Sequence, residues 1–327
     1  MKRRAFIQTP AALIVGTTLC SAALSQEPFP YKPIRFVIPS APGGVSDAVA
    51  RVYGERMSKY LKQPVLIENM PGAETLLAVR HVLKSPADGY TLIVSANTVV
   101  TLPHVDKSAG YNPSDFTGVS YLSKMPMALV VSGQSPFRTL AELVAAAKKA
   151  PGTITFASLG IGTTSHMPVE LFTQSAGIKL QLIPYKGIPL AIPDVVSGRV
   201  TLMMGTSPSV GALIKAGKLR ALAVTSETRS PSFPNTPAFA ELGYVESTYE
   251  LFLGLMAPAK IPPAVLKILS DAAEEAKNDL DLRERLEALG QELPSQTTPE
   301  QFNAFLRREE EKMKKLVKEA NIQISRS

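Results

Sequence analysis

Two turns carry the residues best suited to chemistry in this chain of 327 residues. Ile34 to Asp47 reads IRFVIPSAPGGVSD, and Ile154 to His166 reads ITFASLGIGTTSH. In each, an apolar β-prone run leads into glycines and small hydroxyl residues, and then into a helix start. Glycine lets backbone approach a ligand closely, and the first N–H groups of a helix have no partner inside it. Capture of a small anion by neutral donors is the chemistry this favours. Neither turn brings an evident catalytic group, and the two read as facing lips of one cleft.

In an open α/β sheet, ligands sit beyond the carboxyl ends of the strands. That rule selects five loops: Ser40–Asp47, Ser95–Thr98, Ser158–His166, Tyr185–Gly187 and Gly205–Ser207. Their candidate binding residues are Pro42, Gly43, Gly44, Ser46, Asp47, Ser95, Asn97, Ser158, Gly160, Gly162, Thr163, Thr164, Ser165, His166, Tyr185, Lys186 and Gly205. Gly, Ser, Thr and Asn dominate these loops, offering N–H and O–H donors without a fixed countercharge. Such residues also fill ordinary strand-to-helix turns, and the coincidence of five loops is what favours a site. Asp47 is placed to cap the helix that starts at the first lip, a structural role that competes with a binding one. Lys186 is either a direct cation for the ligand or a solvated loop lysine.

Enzyme readings find little support. His81, His104 and His166 lie far apart, no acid or histidine near them has metal-ligand spacing, and no metal or cofactor is expected. Gly160-Ile161-Gly162 lacks the third glycine of a dinucleotide fingerprint, and neither a Walker A loop nor a G-x-S-x-G elbow occurs. Ser165 and His166 are adjacent, and successive residues at a helix start point in different directions. A secreted hydrolase using Ser165 or Ser46 is the competing reading, and a ligand sensor for a signalling partner is a third.

The elements that must position these loops alternate short apolar runs with helical segments, the pattern of an α/β fold with a mainly parallel sheet. Strands are expected at Ile34–Ile38, Val65–Glu68, Thr91–Val94, Met127–Val131, Ile154–Ala157, Lys179–Pro184, Val200–Met204, Arg220–Val224 and Leu251–Ala257. Helices fit at Asp47–Leu61, Thr75–Leu83, Leu140–Lys149, His166–Ser175, Leu190–Ser197 and Ser209–Ala216. The last 70 or so residues are helical, with Pro262-Pro263 opening one helix and the capping box Thr298-Pro299-Glu300-Gln301 opening an amphipathic one. These helices need a sheet to cover, and the first domain's is expected. The chain then leaves domain one near Met125, builds domain two and returns near Glu250, giving residues 26–125 and 251–327 to one lobe and 126–250 to the other. Two crossings make a hinge, and hinged lobes clasp ligand in the gap.

Residues 1–25 read as an export signal, with Lys2, Arg3 and Arg4 before the apolar Pro10–Leu24 and a small-x-small site at Ala23-Leu24-Ser25. Paired arginines followed by Phe6-Ile7 fit a twin-arginine signal as well as a Sec one. Cys20, the one cysteine, falls within this segment behind a poor lipidation context, so the mature chain is expected to begin near Gln26 without lipid, thiol or disulfide. What remains, about 300 residues, suffices for two domains. No second long apolar segment follows, so a soluble periplasmic chain is expected. Losing three signal charges leaves a mild excess from the formal +7, and basic residues are interleaved with acids, as in Arg307 to Lys318. A solvated helix face explains that run better than a nucleic-acid surface.

In order along nearly the whole mature chain, short motifs resemble the substrate-binding proteins of tripartite tricarboxylate transporters, also called Bug receptors. Pro33-Ile34-Arg35 leading to Ala41-Pro42-Gly43-Gly44 and Asp47 resembles the family's first lip. Glu68-Asn69 with Pro71-Gly72-Ala73, and Asp88-Gly89-Tyr90-Thr91-Leu92, resemble its next signatures. Phe156-Ala157-Ser158 with Gly160, Gly162, Thr163, Ser165 and His166 resembles the second lip, and Pro184-Tyr185-Lys186-Gly187, Gly217–Thr225 and Leu255–Ala259 complete the series. The resemblance implies a two-lobed periplasmic binding protein of the type II kind, a monomer. It would close on a small organic acid and deliver it to a membrane permease of large and small subunits. It further implies that backbone amides and hydroxyls hold the ligand carboxylate, which by position falls to Gly43, Gly44, Ser46 and Asp47, and to Ser158, Gly160, Gly162, Thr163, Thr164, Ser165 and His166.

The chain departs from the family pattern in places. Glu74, Thr75 and Leu76 stand where the family usually has Gly-Gly-Asn, Met70 replaces a usual arginine, and Thr201 stands where an acid is common. A charged Glu74 near the cleft would disfavour a second ligand carboxylate.

Overall fold

The computed structural model describes residues 28–320 and residue 322. The export signal, its cleavage site and Cys20 lie outside the described residues, as does the side chain of Glu74. Two five-stranded sheets form the frame. The first holds β1 (Ile34–Ile38), β2 (Val65–Asn69), β3 (Thr91–Ala96), β4 (Phe116–Met125) and β10 (Leu251–Pro258), in the order β2-β1-β3-β10-β4. The second holds β5 (Met127–Ser132), β6 (Thr155–Ser158), β7 (Gln181–Pro184), β8 (Leu202–Thr206) and β9 (Leu219–Val224), in the order β7-β6-β8-β5-β9. The two orders are the same pattern: β1 corresponds to β6, β2 to β7, β3 to β8, β4 to β9, and β10 to β5. The turns after β1 and β6, the two lips of the sequence, are therefore equivalent positions in topologically twin lobes.

Neither sheet is mainly parallel, contrary to expectation. β1 runs parallel to β2 and β3, and β6 parallel to β7 and β8, but β10 is antiparallel to β3 and β4, and β5 to β8 and β9. β10 and β5 are the strands by which the chain enters each lobe from the other, so they run against the βαβ units already there. β4 was not read as a strand from the sequence because its residues, FTGVSYLSKM, mix polar with apolar. Its interior Ser120 and Ser123 are fully buried, and their hydroxyls donate to Glu274 Oε1 and Gln291 Oε1 at 2.8 Å each. A buried polar side chain is tolerated when it is hydrogen-bonded, so hydropathy alone misreads such a strand.

Helices α1 (Val45–Leu61), α2 (Leu76–Lys84) and α3 (Thr98–Val105) follow β1, β2 and β3. α4 (Leu140–Lys149), α5 (Met167–Ala176), α6 (Ile188–Val196) and α7 (Ser207–Lys215) belong to the second lobe, and α8 (Pro263–Ala276), α9 (Leu280–Ala288) and α10 (Pro299–Glu319) close the chain. Val49, Val52, Tyr53 and Met57 form the buried stripe of α1 at helical spacing, and Lys62 ends the helix in the left-handed region at φ 54°. α10 starts from the expected capping box, with Thr298 accepting from Gln301 N and Pro299 in the first turn. Its Phe302 packs against Gly118 of β4 and Gly254 of β10, where a Cβ would collide with the ring. The C-terminal helix thus covers the first sheet as the sequence suggests. α3, with Pro103 inside it, is not among the expected helices, whereas α9 falls within the C-terminal segment expected to be helical, without a start signal of its own in the sequence reading.

A single residue, Pro126, separates β4 of the first sheet from β5 of the second. Beside it, Leu251 at the start of β10 pairs with Met125, so the two crossings run side by side. Thr225 ties them together: its N–H donates to Met127 O and its Oγ1 accepts from Met127 N, while its carbonyl accepts from Tyr249 N.

Candidate functional site

The first lip leaves β1 through residues 39–44, and residues 41–45 are exposed. Gly43 has φ +85°, a conformation that favours glycine, whereas Gly44 has φ −79° and is the N-cap of α1. Asp47 does not cap the helix by accepting its N-terminal donors. It sits two residues after Val45, buried, and reaches back so that its Oδ2 accepts from Gly43 N at 3.0 Å. Arg51, one turn on, donates Nε to Oδ2 at 3.0 Å and Nη2 to Oδ1 at 2.9 Å, and its Nη2 also reaches Asn69 Oδ1 at 3.4 Å. The Arg51 fork, with help from the Gly43 N–H, holds the Asp47 carboxyl at about 2, below its ordinary 3.8 and against the opposing effect of burial. Asp47 is thus a brace of the turn, with its charge neutralised by Arg51, a partner that the sequence reading missed although the i, i+4 spacing points to it.

The second lip is tied from within. Ser158 and Ser165 are buried, and their Oγ atoms lie 3.1 Å apart, with Thr163 Oγ1 at 3.3 and 3.1 Å from them. Ser165 Oγ accepts Leu159 N–H at 2.9 Å, Ser158 Oγ accepts Gly160 N–H at 3.2 Å, and Thr163 Oγ1 donates to Gly160 O at 2.7 Å. Gly160 and Gly162 adopt φ of +121° and +78°. His166 is buried at the base. Its Nδ1 accepts from Gly162 N at 3.3 Å, which leaves the proton on Nε2, 3.2 Å from Glu170 Oε1. Glu170, one turn along in α5, is the acid beside His166. Among the described residues, none of the hydrogen bonds of Ser165 Oγ involves a histidine.

What remains open on the two lips is backbone together with three hydroxyls: Ser40 Oγ is buried without a hydrogen-bond partner, and those of Ser46 and Thr164 have none among the described residues. Among the described residues no acceptor meets the N–H groups of Gly44, Val45, Ser46 and Asp47 on the first lip, or of Ile161, Thr164 and Ser165 on the second. The first set lies at the start of α1, and Thr164 and Ser165 immediately precede the N-cap of α5, where the peptide dipoles favour negative charge. At the foot of the first lip, Ser95 on β3 is buried and its Oγ has no hydrogen-bond partner. Val37 pairs with Ile93, so two residues further Ser95 stands beside Pro39.

The remaining candidates divide. Lys186 is exposed and has no hydrogen-bond or ion-pair partner among the described residues. Tyr185 donates its hydroxyl to Asp194 Oδ2 at 2.6 Å, a bond that raises the phenol's pKa and anchors the turn after β7. Asn97 is buried and spent on the hinge: Nδ2 donates to Glu250 O at 2.7 Å and Oδ1 accepts from Phe252 N at 3.0 Å. Gly205 is buried in β8, where Val210 of α7 occupies the space a Cβ would need, so close packing explains that glycine. Thr201 bonds Thr155 at the amino ends of β8 and β6, the end of the sheet away from the lips. A cavity of about 1300 Å³ lies elsewhere, lined by residues of α7, the 226–236 loop, Lys124, α9 and the segment 290–293, and no residue of the two lips borders it. No group of acids, histidines or cysteines among the described residues could hold a metal ion, and none of their helices is long and apolar enough to cross a membrane.

Residues 49–322 match the family described as tripartite tricarboxylate transporter family receptor. An Agrobacterium vitis protein from the TAR-I ttuE-ttuC' intergenic region is 34% identical over 313 residues, covering 95% of this chain and 90% of the relative. A solved TctC solute-binding protein from Polaromonas, without ligand, superposes with a TM-score of 0.82 at 25% identity, over 89% of this chain and 99% of that one. An R. palustris protein solved with adipate superposes with a TM-score of 0.72 at 29% identity, over 90% and 99%. The fold is thus shared with a solved solute-binding protein, and this chain belongs to the tripartite tricarboxylate transporter receptor family.

Proposed function

We propose that this protein is a periplasmic receptor that closes its two lobes, residues 26–125 with 251–327 and residues 126–250, on the carboxylate of a small organic acid. It hands that acid to a membrane permease of large and small subunits. The observation that carries the reading is the set of unpartnered N–H groups on equivalent turns of the two lobes, with Ser95 Oγ beneath the first. A carboxylate has lone pairs enough to accept from both sides at once, and charge-assisted bonds of this kind are stronger than neutral ones. Bonds from both lobes to one anion favour the closed state, because only that state makes them all. The adipate in the R. palustris relative and the transporter family support the ligand class and the partner. Export of the chain through its N-terminal signal, by the Sec or the twin-arginine route, belongs to the same reading.

A thermal-shift screen of the mature chain against acetate, hexanoate, adipate and citrate tests it. A receptor is stabilised by about 2.7 kcal/mol at a ligand concentration one hundred times Kd, without turnover. Conversion of an acid derivative at a rate lost in Ser165→Ala would overturn the reading in favour of a hydrolase.

A further inference from the structure

We propose that the acid held between the lips is a monocarboxylate with an apolar body, an inference that rests on the receptor reading above and narrows its ligand. Two of the residues that offer free N–H groups also expose aliphatic surface. Val45, at the first position of α1, is 39% exposed, and Ile161 on the second lip is 57% exposed, each beside its own unpartnered N–H. Leu159 flanks Ile161 and is 40% exposed, and Leu190 in the first turn of α6, on the neighbouring loop, is 62% exposed. Solvated turns have no need of large aliphatic side chains, whereas a pocket for an apolar ligand does.

Charge points the same way. Across residues 39–46, 97–98, 159–166, 185–190 and 206–209 the exposed ionised side chain is Lys186 alone. Asp47 is neutralised by Arg51, and His166 faces Glu170. One unpaired cation balances one carboxylate. A second carboxylate on the ligand would lose water against Val45, Ile161, Leu159 and Leu190 with no cation left to meet it, which is unfavourable.

Calorimetry on the mature chain with butyrate, hexanoate, octanoate and adipate decides the matter. Affinity should rise about fourfold per added methylene along the monocarboxylate series, the factor expected for burying each group. Adipate, which replaces the methyl end of hexanoate with a carboxylate, should bind about tenfold or more weakly than hexanoate. Ile161→Asn and Leu190→Asn, both at exposed positions, should flatten the chain-length dependence and leave the fold intact by circular dichroism. Adipate binding as tightly as hexanoate, or affinity that ignores chain length, overturns this inference and leaves the receptor reading standing. Failure of all four acids and of citrate to bind removes the receptor reading and this inference with it.

Discussion

Asp47 shows how much of the first lip is held by side chains that bond within the protein, whatever its backbone N–H offers to a ligand. Its folded-state value of about 2 lies below 3.8, so the Asp47–Arg51 pair contributes in full above about pH 4 and its contribution disappears as pH falls towards 2. Because Arg51 is half exposed, the pair is worth about 1–2 kcal/mol, less than the bare shift implies. Urea denaturation should show Asp47→Asn less stable than wild type by that amount at pH 7, with the gap narrowing between about pH 4 and pH 2.5. Ser165 has a comparable part on the second lip. Its Oγ is the acceptor for Leu159 N–H in a buried setting, so Ser165→Ala should cost about 1–3 kcal/mol of stability through the orphaned donor. A loss of affinity without any loss of stability would instead put the hydroxyl on the ligand. Gly44 is the complementary case. Its φ is ordinary and its nearest obstacle, Ala41 O, is 3.7 Å from where a Cβ would stand. Gly44→Val should therefore fold normally yet abolish acid binding by blocking approach to the free donors, as calorimetry would show. At Gly43, with φ +85°, substitution should cost about 1–2 kcal/mol of stability whatever its effect on binding.

At the level of elements, glycines mark where helices sit closest to the sheets. α7 packs on β8 with Val210 in the space above Gly205, and α10 packs on β4 and β10 with Phe302 above Gly118 and Gly254. Overpacking a filled site commonly costs about 1–3 kcal/mol. Gly205→Ala should fall in that range, and Val210→Ala in the same chain should recover most of the loss. Recovery of stability with unchanged hexanoate affinity would assign Gly205 to packing, whereas lost affinity that Val210→Ala fails to restore would return it to the binding surface. Asn97 belongs to the same account. By donating to Glu250 O and accepting from Phe252 N, it welds the start of α3 to the second crossing, which fixes where β10 begins.

For the whole molecule, the consequence of twin lobes is closure. On the proposed reading, the equivalent turns after β1 and β6 meet one ligand from opposite sides; the crossings at Met125–Met127 and Glu250–Leu251 run side by side and are joined through Thr225. Motion about two adjacent strands is restricted to a hinge, because the β-bonds between them resist shear. Small-angle scattering should show a smaller radius of gyration with saturating ligand than without, and Gly44→Val should show no change on ligand addition. An unchanged radius for the wild-type chain at saturation would mean that binding occurs without closure.

Much of this architecture was legible in the order of residues. Hydrophobic period and punctuation located nine strands, six of the helices before the C-terminal segment and both lips, because these depend on local backbone preference and on glycines at strand ends. The motif series identified the family for the same reason: turn chemistry is local and is written in short words. β4 was not legible, since its serines became interior only through Glu274 and Gln291, more than a hundred residues away. The direction of β10 and β5 was likewise set by how the chain passes between lobes, which no local period encodes. The roles of site residues were decided last and only in three dimensions. Asp47 turned to Gly43 and Arg51, Asn97 to the hinge, Gly205 to Val210, and Ser158, Thr163 and Ser165 to one another. Sequence determined which donors and hydroxyls were present; tertiary structure decided which were consumed in holding the lips and which N–H groups were left free, because satisfaction of a polar group depends on what is folded against it.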